Sequence, residues 1–473
     1  ASGAIRIAGE VKARGERRRA RSDWLEIEQK RGISVTTSAM TFEVDGVTFN
    51  LLDTPGHEDF SEDTYRTLTA VDAAVMVIDA AKGIESQTLK LFEVCRLRDI
   101  PILTFVNKID REAKDPFELL DEVASRLALD VAPMVWPIGL GSQFRGCYDI
   151  AASRVLLEAS PEDRTFGRTE EISGLDDPRL DSLIPEDAAA EAREIIPLAR
   201  DGYPAFDREQ FLHGAMTPVY FGSALREFSV RELLRDIAAY GPPPKAQAAA
   251  GREVSPSDPL VSGFVFKVQA NMDPNHRDRV AFVRLCSGDF KRGMKLKNTR
   301  TDKTLSINNP IFFFAQDRQR AEEAVAGDII GVPNHGVLSV GDTLTEIDGL
   351  RFTGLPDFAP EIIRRVRLAD PLKSKQMKKA ITALAEEGAS QVFTPILGAD
   401  VYVGVVGALQ LDVIEARMAA EYGVAAKLET CGFDAARWLA PAEPGDRAAV
   451  ETFIASHKSA IAEDRFGAPV FLA

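Results

Sequence analysis

Residues 47–57 read VTFNLLDTPGH, and residues 100–110 read IPILTFVNKID. In both stretches a short apolar run ends in polar residues, as happens where a buried strand of a parallel sheet leaves the core. A similar run lies at Ala73–Asp79, and helical patterns such as Glu85–Arg98 and Phe117–Ala128 separate the runs. Alternating strands and helices predict a doubly wound parallel sheet, whose ligands bind at the carboxyl ends of the strands.

The first polar run, Asp53-Thr54-Pro55-Gly56-His57, has the features of a phosphate site. An Asp at the end of a strand can hold hydrated Mg²⁺ near phosphates, and a glycine lets a backbone N–H approach a γ-phosphate closely. A histidine next to them can orient a water for in-line attack. An Asp-x-x-Gly alone is equally consistent with a chance turn, but its position after a strand and the following His57 favour the phosphate site.

The second polar run, Asn107-Lys108-Ile109-Asp110, has the features of a guanine site. A carboxylate such as Asp110 can accept two hydrogen bonds, from guanine N1–H and from its 2-amino group, which adenine does not offer in that arrangement. Asn107 can bind the nucleotide from the other side, and the stem of Lys108 can cover the base. An exposed turn is the alternative, and the strand in front of the run argues against it.

Two further segments are weaker signals. Gly222-Ser223-Ala224-Leu225 follows the predicted strand Pro218–Gly222, and its backbone N–H groups can meet guanine O6. Arg31–Thr36 precedes the first strand, and a hydroxyl there can complete a Mg²⁺ shell. Without the other motifs, each would be read as an ordinary turn.

Length and composition restrict the class of protein. At 473 residues the chain has room for about three domains, and its 45% apolar and 27% charged residues are typical of globular proteins. A net charge of −15 argues against a DNA-coating protein. The four cysteines form no C-x-x-C pair, so we expect free thiols in the cytoplasm, and no segment is long and apolar enough for a membrane helix.

The composition also predicts where the domains lie. We expect a nucleotide-binding domain over 1–245 with an acidic insertion at about 150–215, a linker over 246–258 rich in Ala and Gly, and a β-barrel over 259–355. Residues 356–473 show the order β-α-β-β-α-β of a ferredoxin-like α/β domain.

Together these motifs resemble those of the translational GTPases. The runs Glu28–Ser34, Leu51–Thr69 and Phe264–Leu285 are similar to the class II peptide chain release factors of bacteria, and the resemblance extends over essentially the whole chain. It implies a P-loop-type GTPase domain, a β-barrel and an α/β domain. It also implies GTP or GDP and Mg²⁺ as ligands, with ribosome-stimulated hydrolysis in translation termination.

The resemblance assigns roles to the motif residues. It implies that Asp53–His57 is switch II with His57 as the catalytic, water-positioning residue, and that Ser34 and Asp53 serve Mg²⁺, with Thr36 as the alternative to Ser34. It further implies that the nucleotide is bound by Asp53, Thr54, Pro55, Gly56, His57, Asn107, Lys108, Ile109, Asp110, Ser223 and Ala224.

The sequence departs from this family in one respect. It has no G-x-x-x-x-G-K-[ST] run, and the family places its P-loop ahead of the position of Ala1. We therefore expect the first strand and the P-loop to be missing from this chain, and its C-terminal end to be incomplete at Ala473. The sequence leaves open whether they belong to a longer protein.

Two basic clusters predict partners. One holds five arginines between Arg14 and Arg21, and the other comprises Arg364, Arg365, Arg367, Lys373, Lys375, Lys378 and Lys379, opposed only by Asp370. The resemblance favours the ribosome, through its RNA and proteins, and class I release factors as partners of a monomer, without DNA or membrane. Alternatives are a solvated surface, a nucleotide-independent ribosome-binding relative, or another translational GTPase such as elongation factor G.

Overall fold

The computed structural model describes residues 34–158, 169–270, 279–313, 318–388, 390–443 and 447–473. The first arginine cluster lies outside the described residues, as does part of the acidic insertion. In the described parts, the chain forms a mixed α/β region, a β-rich region and a second α/β region in that order. Short 3₁₀ turns occur at Glu58–Phe60, Leu68–Ala70, Gly141–Gln143, Pro371–Lys373 and Lys458–Ala460.

The first region alternates strands and helices over much of its length. Its strands are β1 (Ser38–Val44), β2 (Val47–Asp53), β3 (Ala74–Asp79), β4 (Ile102–Asn107), β5 (Asp130–Ile138), β6 (Gly146–Asp149), β7 (Arg154–Glu158), β8 (Thr169–Ile172) and β9 (Met216–Phe221). Its helices are α1 (Ser61–Thr67), α2 (Ser86–Leu97), α3 (Pro116–Leu127), α4 (Leu180–Leu183), α5 (Glu186–Gly202), α6 (Arg208–Leu212) and α7 (Val230–Tyr240).

The main sheet of this region has the order β3-β4-β9-β5-β6-β7-β8. Its first four strands are parallel and the rest are antiparallel, so the predicted parallel sheet is a mixed one. Because Val106 on β4 pairs with Phe221 on β9, the loops after these two strands leave the sheet side by side.

The strand Val47–Asp53 differs from the prediction. It was expected as a buried parallel strand, but it forms an antiparallel hairpin with β1, in which Ser38 faces Asp53. The physical reason is the two-residue turn Asp45-Gly46, whose φ angles of 51° and 78° fit the tight turn that Asp-Gly favours between antiparallel strands.

The predicted acidic insertion packs on the first region through α5. Its buried residues Ala189, Ala192, Ile196 and Ala199 recur at helical spacing, while its acidic side chains face outward. Ser229 directly precedes α7 but its side chain makes no capping bond: its backbone is left-handed and its hydroxyl donates to the carbonyl of Phe221.

The second region is built from strands. They are β10 (Gln247–Ala249), β11 (Arg252–Val254), β12 (Ser262–Ala270), β13 (Arg279–Ser287), β14 (Phe290–Lys291), β15 (Lys295–Asn298), β16 (Lys303–Ser306), β17 (Ile311–Phe313), β18 (Arg318–Arg320), β19 (Glu323–Ala324), β20 (Ile329–Pro333) and β21 (Thr343–Thr345). Strands β10 and β11 form a hairpin within 246–258, the stretch predicted as a linker.

Both faces of β12 and β13 are buried, which holds the second region against the first. One face, with Val265 and Val283, lines the region's own core. The other face, with Phe264 and Phe282, belongs to a cluster that includes Ala70 and contacts Leu52 of the first region. The long apolar run of β12 is therefore explained by two separate cores on its two sides.

The third region has the predicted ferredoxin-like order. Its elements are β22 (Ile362–Leu368), α8 (Ser374–Glu386), β23 (Gln391–Pro395), β24 (Tyr402–Val405), α9 (Ala408–Tyr422), β25 (Ala426–Thr430), β26 (Ala436–Trp438), α10 (Arg447–Ser456), β27 (Ile461–Glu463) and β28 (Pro469–Leu472). The sheet order β25-β22-β24-β23 is that of a split βαβ motif, and β27, β28 and β26 extend it.

The cysteines agree with the prediction of free thiols. All four are unbridged, and burial raises the pKa of Cys95, Cys147 and Cys286 to about 12 in each case. At neutral pH these three thiols are therefore protonated and poorly reactive. In the part of the chain that the structure describes, no helix combines the length and apolar character needed to cross a membrane.

Candidate nucleotide site

The loops after β4 and β9 form one hydrogen-bonded unit at the carboxyl edge of the sheet. The side-chain oxygen of Asn107 accepts from the backbone N–H of Lys108 at 2.8 Å and from that of Ala224 at 2.9 Å. The N–H of Gly222 donates to the carbonyl of Val106 at 2.9 Å. Asn107 thus joins two loops that are 117 residues apart in sequence.

Lys108 is held in an unusual conformation at this edge. Its φ of 71° is left-handed, which is costly for a residue with a side chain and often marks a functional turn. Its Nζ lies 2.7 Å from a carboxylate oxygen of Asp79, at the end of β3. Burial alone would raise the pKa of Asp79, but Lys108, the backbone N–H of Ala81 and Lys82 together outweigh it and lower that pKa below its usual value. Three strand ends therefore contribute to the site.

Asp110 presents a nearly buried carboxylate beside these loops. Its side chain is 8% exposed, and the Nε of Arg226 lies 3.5 Å from Oδ2. Ser223, from the second loop, is buried. A carboxylate carries two acceptor oxygens, which is the number that guanine N1–H and the 2-amino group require.

The segment Asp53–His57 leaves β2 and turns into α1. The hydroxyl of Thr64 on α1 donates to the carbonyl of Pro55 at 3.0 Å, which ties the two parts of the turn together. His57 begins the 3₁₀ turn Glu58–Phe60, and its Nδ1 accepts from the N–H of Asp59 at 3.2 Å. In the neutral ring this bond places the proton on Nε2.

Gly56 fits the phosphate chemistry predicted for the turn. A Cβ built on it would meet no described atom within 4 Å, and its φ is not left-handed. Neither packing against the described residues nor backbone conformation therefore requires a glycine here. A remaining reason for glycine at this position is that it lets a backbone N–H approach an anion closely.

The structure brings the predicted residues together only in part. Asn107, Lys108, Asp110, Ser223 and Ala224 form one unit, with Ile109 donating to the carbonyl of Gly222 at 3.4 Å. Within the described residues, no hydrogen bond or ion pair links this unit to Asp53–His57. The candidate Mg²⁺ hydroxyls, Ser34 and Thr36, flank Val35, which is buried beside Phe60 and Val413.

A magnesium site here would use few protein ligands. No group of three or more His, Cys, Asp or Glu side chains suited to a metal occurs in the described ranges. One carboxylate from Asp53 and one hydroxyl fit Mg²⁺, which usually keeps several waters and takes its other ligands from phosphates.

The local sequence did not predict the contacts that hold α1, directly after the Asp53–His57 turn. Asp63 on α1 accepts from Lys267 of β12 at 3.0 Å and from the N–H of Thr37. Burial alone would raise the pKa of Asp63, but Lys267 and Thr37 outweigh it and keep that pKa below its usual value. A lysine inside the apolar strand Ser262–Ala270 was the available signal, since buried lysines almost always have partners.

The second basic cluster is less positive than the sequence indicated. Only Asp370 was expected to oppose it, but Glu429 lies 3.6 Å from Arg365 and 3.3 Å from Arg367, and Asp400 also lies near both. These acids come from neighbouring parts of the third region, which is why the local sequence hid them. Lys375, Lys378 and Lys379 on α8 remain exposed.

Three family models match the chain in the order of its regions. The elongation factor Tu GTP binding domain matches residues 2–243, elongation factor G domain 2 matches residues 260–347, and the class II release factor RF3, C-terminal domain matches residues 352–473.

Among solved structures, a crystal structure of a protein from Thermus thermophilus has a TM-score of 0.72 at 22% sequence identity. The match covers 91% of this chain and 66% of that one, and it supports the fold. The first family model alone spans more than half of the sequence. The chain therefore belongs to the translational GTPases and is of the class II release factor RF3 type.

Proposed function

We propose that this protein is a ribosome-stimulated GTPase of translation termination that stimulates the release and recycling of class I release factors in the cytoplasm. The observation that carries the proposal is the match of the class II release factor C-terminal domain to residues 352–473, in one chain with the GTP-binding domain. The guanine-type unit at the carboxyl ends of β4 and β9 supports it independently.

In this proposal the guanine unit selects the nucleotide. Asp110 accepts from the base, Asn107 keeps the two loops in register, and the Lys108 stem lies against the base. Ser223 and Ala224 contribute the second loop, through the N–H that already binds Asn107. Selection rests on Asp110. A base without the two N–H donors would leave its carboxylate unsatisfied, which weakens the binding of that base.

The switch II turn acts on the phosphate end. Asp53 with Ser34, or with Thr36 in its place, would hold Mg²⁺, which supplies positive charge to the phosphates when bound. Gly56 offers a backbone N–H to the γ-phosphate. His57, with its Nδ1 occupied by the Asp59 amide, has Nε2 left to orient the attacking water.

The partners follow from the third region. Lys375, Lys378 and Lys379 form an exposed row on α8 that suits RNA phosphates. The ribosome and a class I release factor are the partners we propose for the monomer.

The test uses reconstituted ribosomes stalled after peptide release, with a fluorescent class I factor still bound. Adding the protein with GTP should speed dissociation of that factor, and Asp110→Asn should abolish the effect at the same GTP concentration. Equal dissociation without nucleotide would favour a nucleotide-independent ribosome-binding protein. Movement of transfer RNA without factor release would instead favour an elongation factor G-like role. The match to elongation factor G domain 2 is the reason to measure this outcome.

A further inference from the structure

At the start of helix α9 of the third region, Gln410 accepts from the backbone N–H of Gly407, but the N-cap residue has no side chain to bind the first N–H groups of the helix. Its N-cap is Gly407, and the backbone N–H of Leu409, which an N-cap side chain usually binds, donates to Oδ2 of Asp59 at 2.7 Å. Asp59 lies 350 residues earlier, in the 3₁₀ turn Glu58–Phe60 that directly follows the switch II segment Asp53–His57. The helix N-terminus is the positive end of its dipole, so a carboxylate from another domain is a favourable cap there.

Gly407 is shaped to admit that carboxylate. Its φ of −129° and ψ of 151° are ordinary extended values that any residue adopts, so conformation does not explain the glycine. A Cβ at this position would lie 2.6 Å from Cγ of Asp59 and closer still to its Cα and Cβ. Because backbone cannot yield as a flexible side chain does, only glycine allows switch II to approach this closely.

Asp59 is bound at both ends. Its carboxylate caps α9, while its own backbone N–H donates to Nδ1 of His57 at 3.2 Å. A shift of α9 against the turn therefore moves the amide that orients the imidazole. Phe60, next in the chain, packs with Val35 and Val413, so the contact also has an apolar support.

Arg66, seven residues after Asp59 and on α1, makes a second attachment. It donates to the carbonyl of Gly388 in the third region at 2.6 Å, and its guanidinium lies over the ring of Phe358. Two separate points directly after switch II are thus held by the third region, and one of them, Asp59, lies two residues from His57.

We propose that Asp59 is a positioning residue for GTP hydrolysis, through which the N-terminus of α9 sets the orientation of His57. The third region thereby controls the rate of the reaction without touching the nucleotide. This inference rests on the proposed function, because it assigns His57 its role in hydrolysis. It adds a specific control element, the Asp59–Gly407 contact.

The test compares Asp59→Ala, Asp59→Asn and Gly407→Ala in the full chain. We expect Asp59→Ala and Gly407→Ala to lower kcat for ribosome-stimulated hydrolysis about tenfold or more, since small misplacements of a positioned group are costly. The KM for ribosomes and the affinity for fluorescent GDP should stay within about twofold. Asp59→Asn should recover most of the rate, because its amide oxygen can still accept from Leu409.

Matched controls separate positioning from general damage. Glu58→Ala changes the same turn but removes only an exposed contact to Lys90, and Gly432→Ala adds a Cβ in the third region where no described atom lies within 4 Å. Both should keep the parent kcat. The double variant of Asp59→Ala with Gly407→Ala should be no slower than the slower single variant, because the two act through one contact.

Hydrogen exchange provides a readout that does not depend on hydrolysis. The Leu409 amide and the amides of 57–60 should exchange about tenfold faster in Gly407→Ala than in the parent. Unchanged exchange in this variant, or a KM change with an unaltered kcat, would overturn the inference. A parent protein that never hydrolyses GTP would refute the proposed function instead, and exchange would then decide whether the Asp59–Gly407 contact exists.

Discussion

The guanine unit and the segment around switch II differ in which regions of the chain supply their contacts. Asn107, Lys108 and Asp110 find their partners within the first region, in Asp79, Ala224 and Arg226. The segment 57–67 has first-region partners too, such as Thr37 for Asp63, but it also has partners in the other two regions. These are Lys267, Gly388 and Leu409. The proposed guanine unit is therefore held within one domain, whereas the position of the segment 57–67 depends on contacts with all three regions.

The largest effect should come from breaking the internal unit at Asp110. Asp110→Asn replaces one of the two oxygens proposed to bind guanine by an amide NH2 group. This removes one hydrogen bond to a charged acceptor, worth about 1.5–3 kcal/mol, and sets the new NH2 against the 2-amino group of the base. We expect GDP affinity to fall about 1,000-fold, with affinity gained for xanthosine diphosphate, whose oxygen at position 2 can accept from the new amide. Titration of fluorescent nucleotides measures both, and an equal loss for both nucleotides would contradict the assignment of Asp110.

Breaking the external attachment at Lys267 should act on stability instead. Lys267→Met removes the partner of Asp63, whose side chain is 25% exposed, and leaving this partly buried carboxylate without its lysine costs about 1–3 kcal/mol. We expect a lower unfolding midpoint in urea and unchanged GDP affinity. Lys295→Met, an exposed lysine of the same region, is the matched control and should leave the midpoint in place.

A smaller loss of affinity should follow from Asn107→Ala. The variant leaves the N–H groups of Lys108 and Ala224 without their acceptor, at about 1 kcal/mol for each bond. GDP affinity should fall about 30-fold, while hydrogen exchange in 57–67 stays as in the parent. Faster exchange in 57–67 would show that the two sites are not held independently.

The smallest effect should be a dependence on pH of the stability that the Asp63–Lys267 ion pair contributes. The folded pKa of Asp63 lies below its usual value of 3.8, so its contribution to stability is fully present above about pH 4 and is lost as the pH falls through the folded pKa. The difference in unfolding midpoint between the parent and Asp63→Asn should therefore shrink below pH 3.8. A difference that grows on acidification would contradict this sign.

The same contrast explains what could be predicted from the sequence. The sequence signals of the guanine unit are local, although its two loops are far apart in the chain. Asn107 and Gly222 each follow directly on an apolar run, so motifs at the strand ends predict where the unit lies. The ferredoxin-like order of the third region was equally visible, because its elements alternate in sequence. The turn residues Asp45-Gly46 favour the hairpin β1–β2. The apolar run Val47–Leu52 nevertheless led to the prediction of a buried parallel strand.

The attachments of switch II could not be predicted in this way. Asp59 meets Leu409 across 350 residues, and nothing near either residue indicates the other. In the sequence, Gly407 looks like an ordinary helix start. The need for glycine becomes visible only in the structure, where Asp59 lies against it. Contacts between domains depend on surfaces brought together by the whole fold, which local patterns do not encode.

Hydrogen exchange by mass spectrometry of the parent protein and Lys267→Met tests this account most directly. If switch II is held by the other regions and the guanine unit by its own, the variant should exchange faster in 57–67 and at the parent rate in 105–111. Equal acceleration in both segments, or none in 57–67, would contradict the central claim that the two sites are held separately.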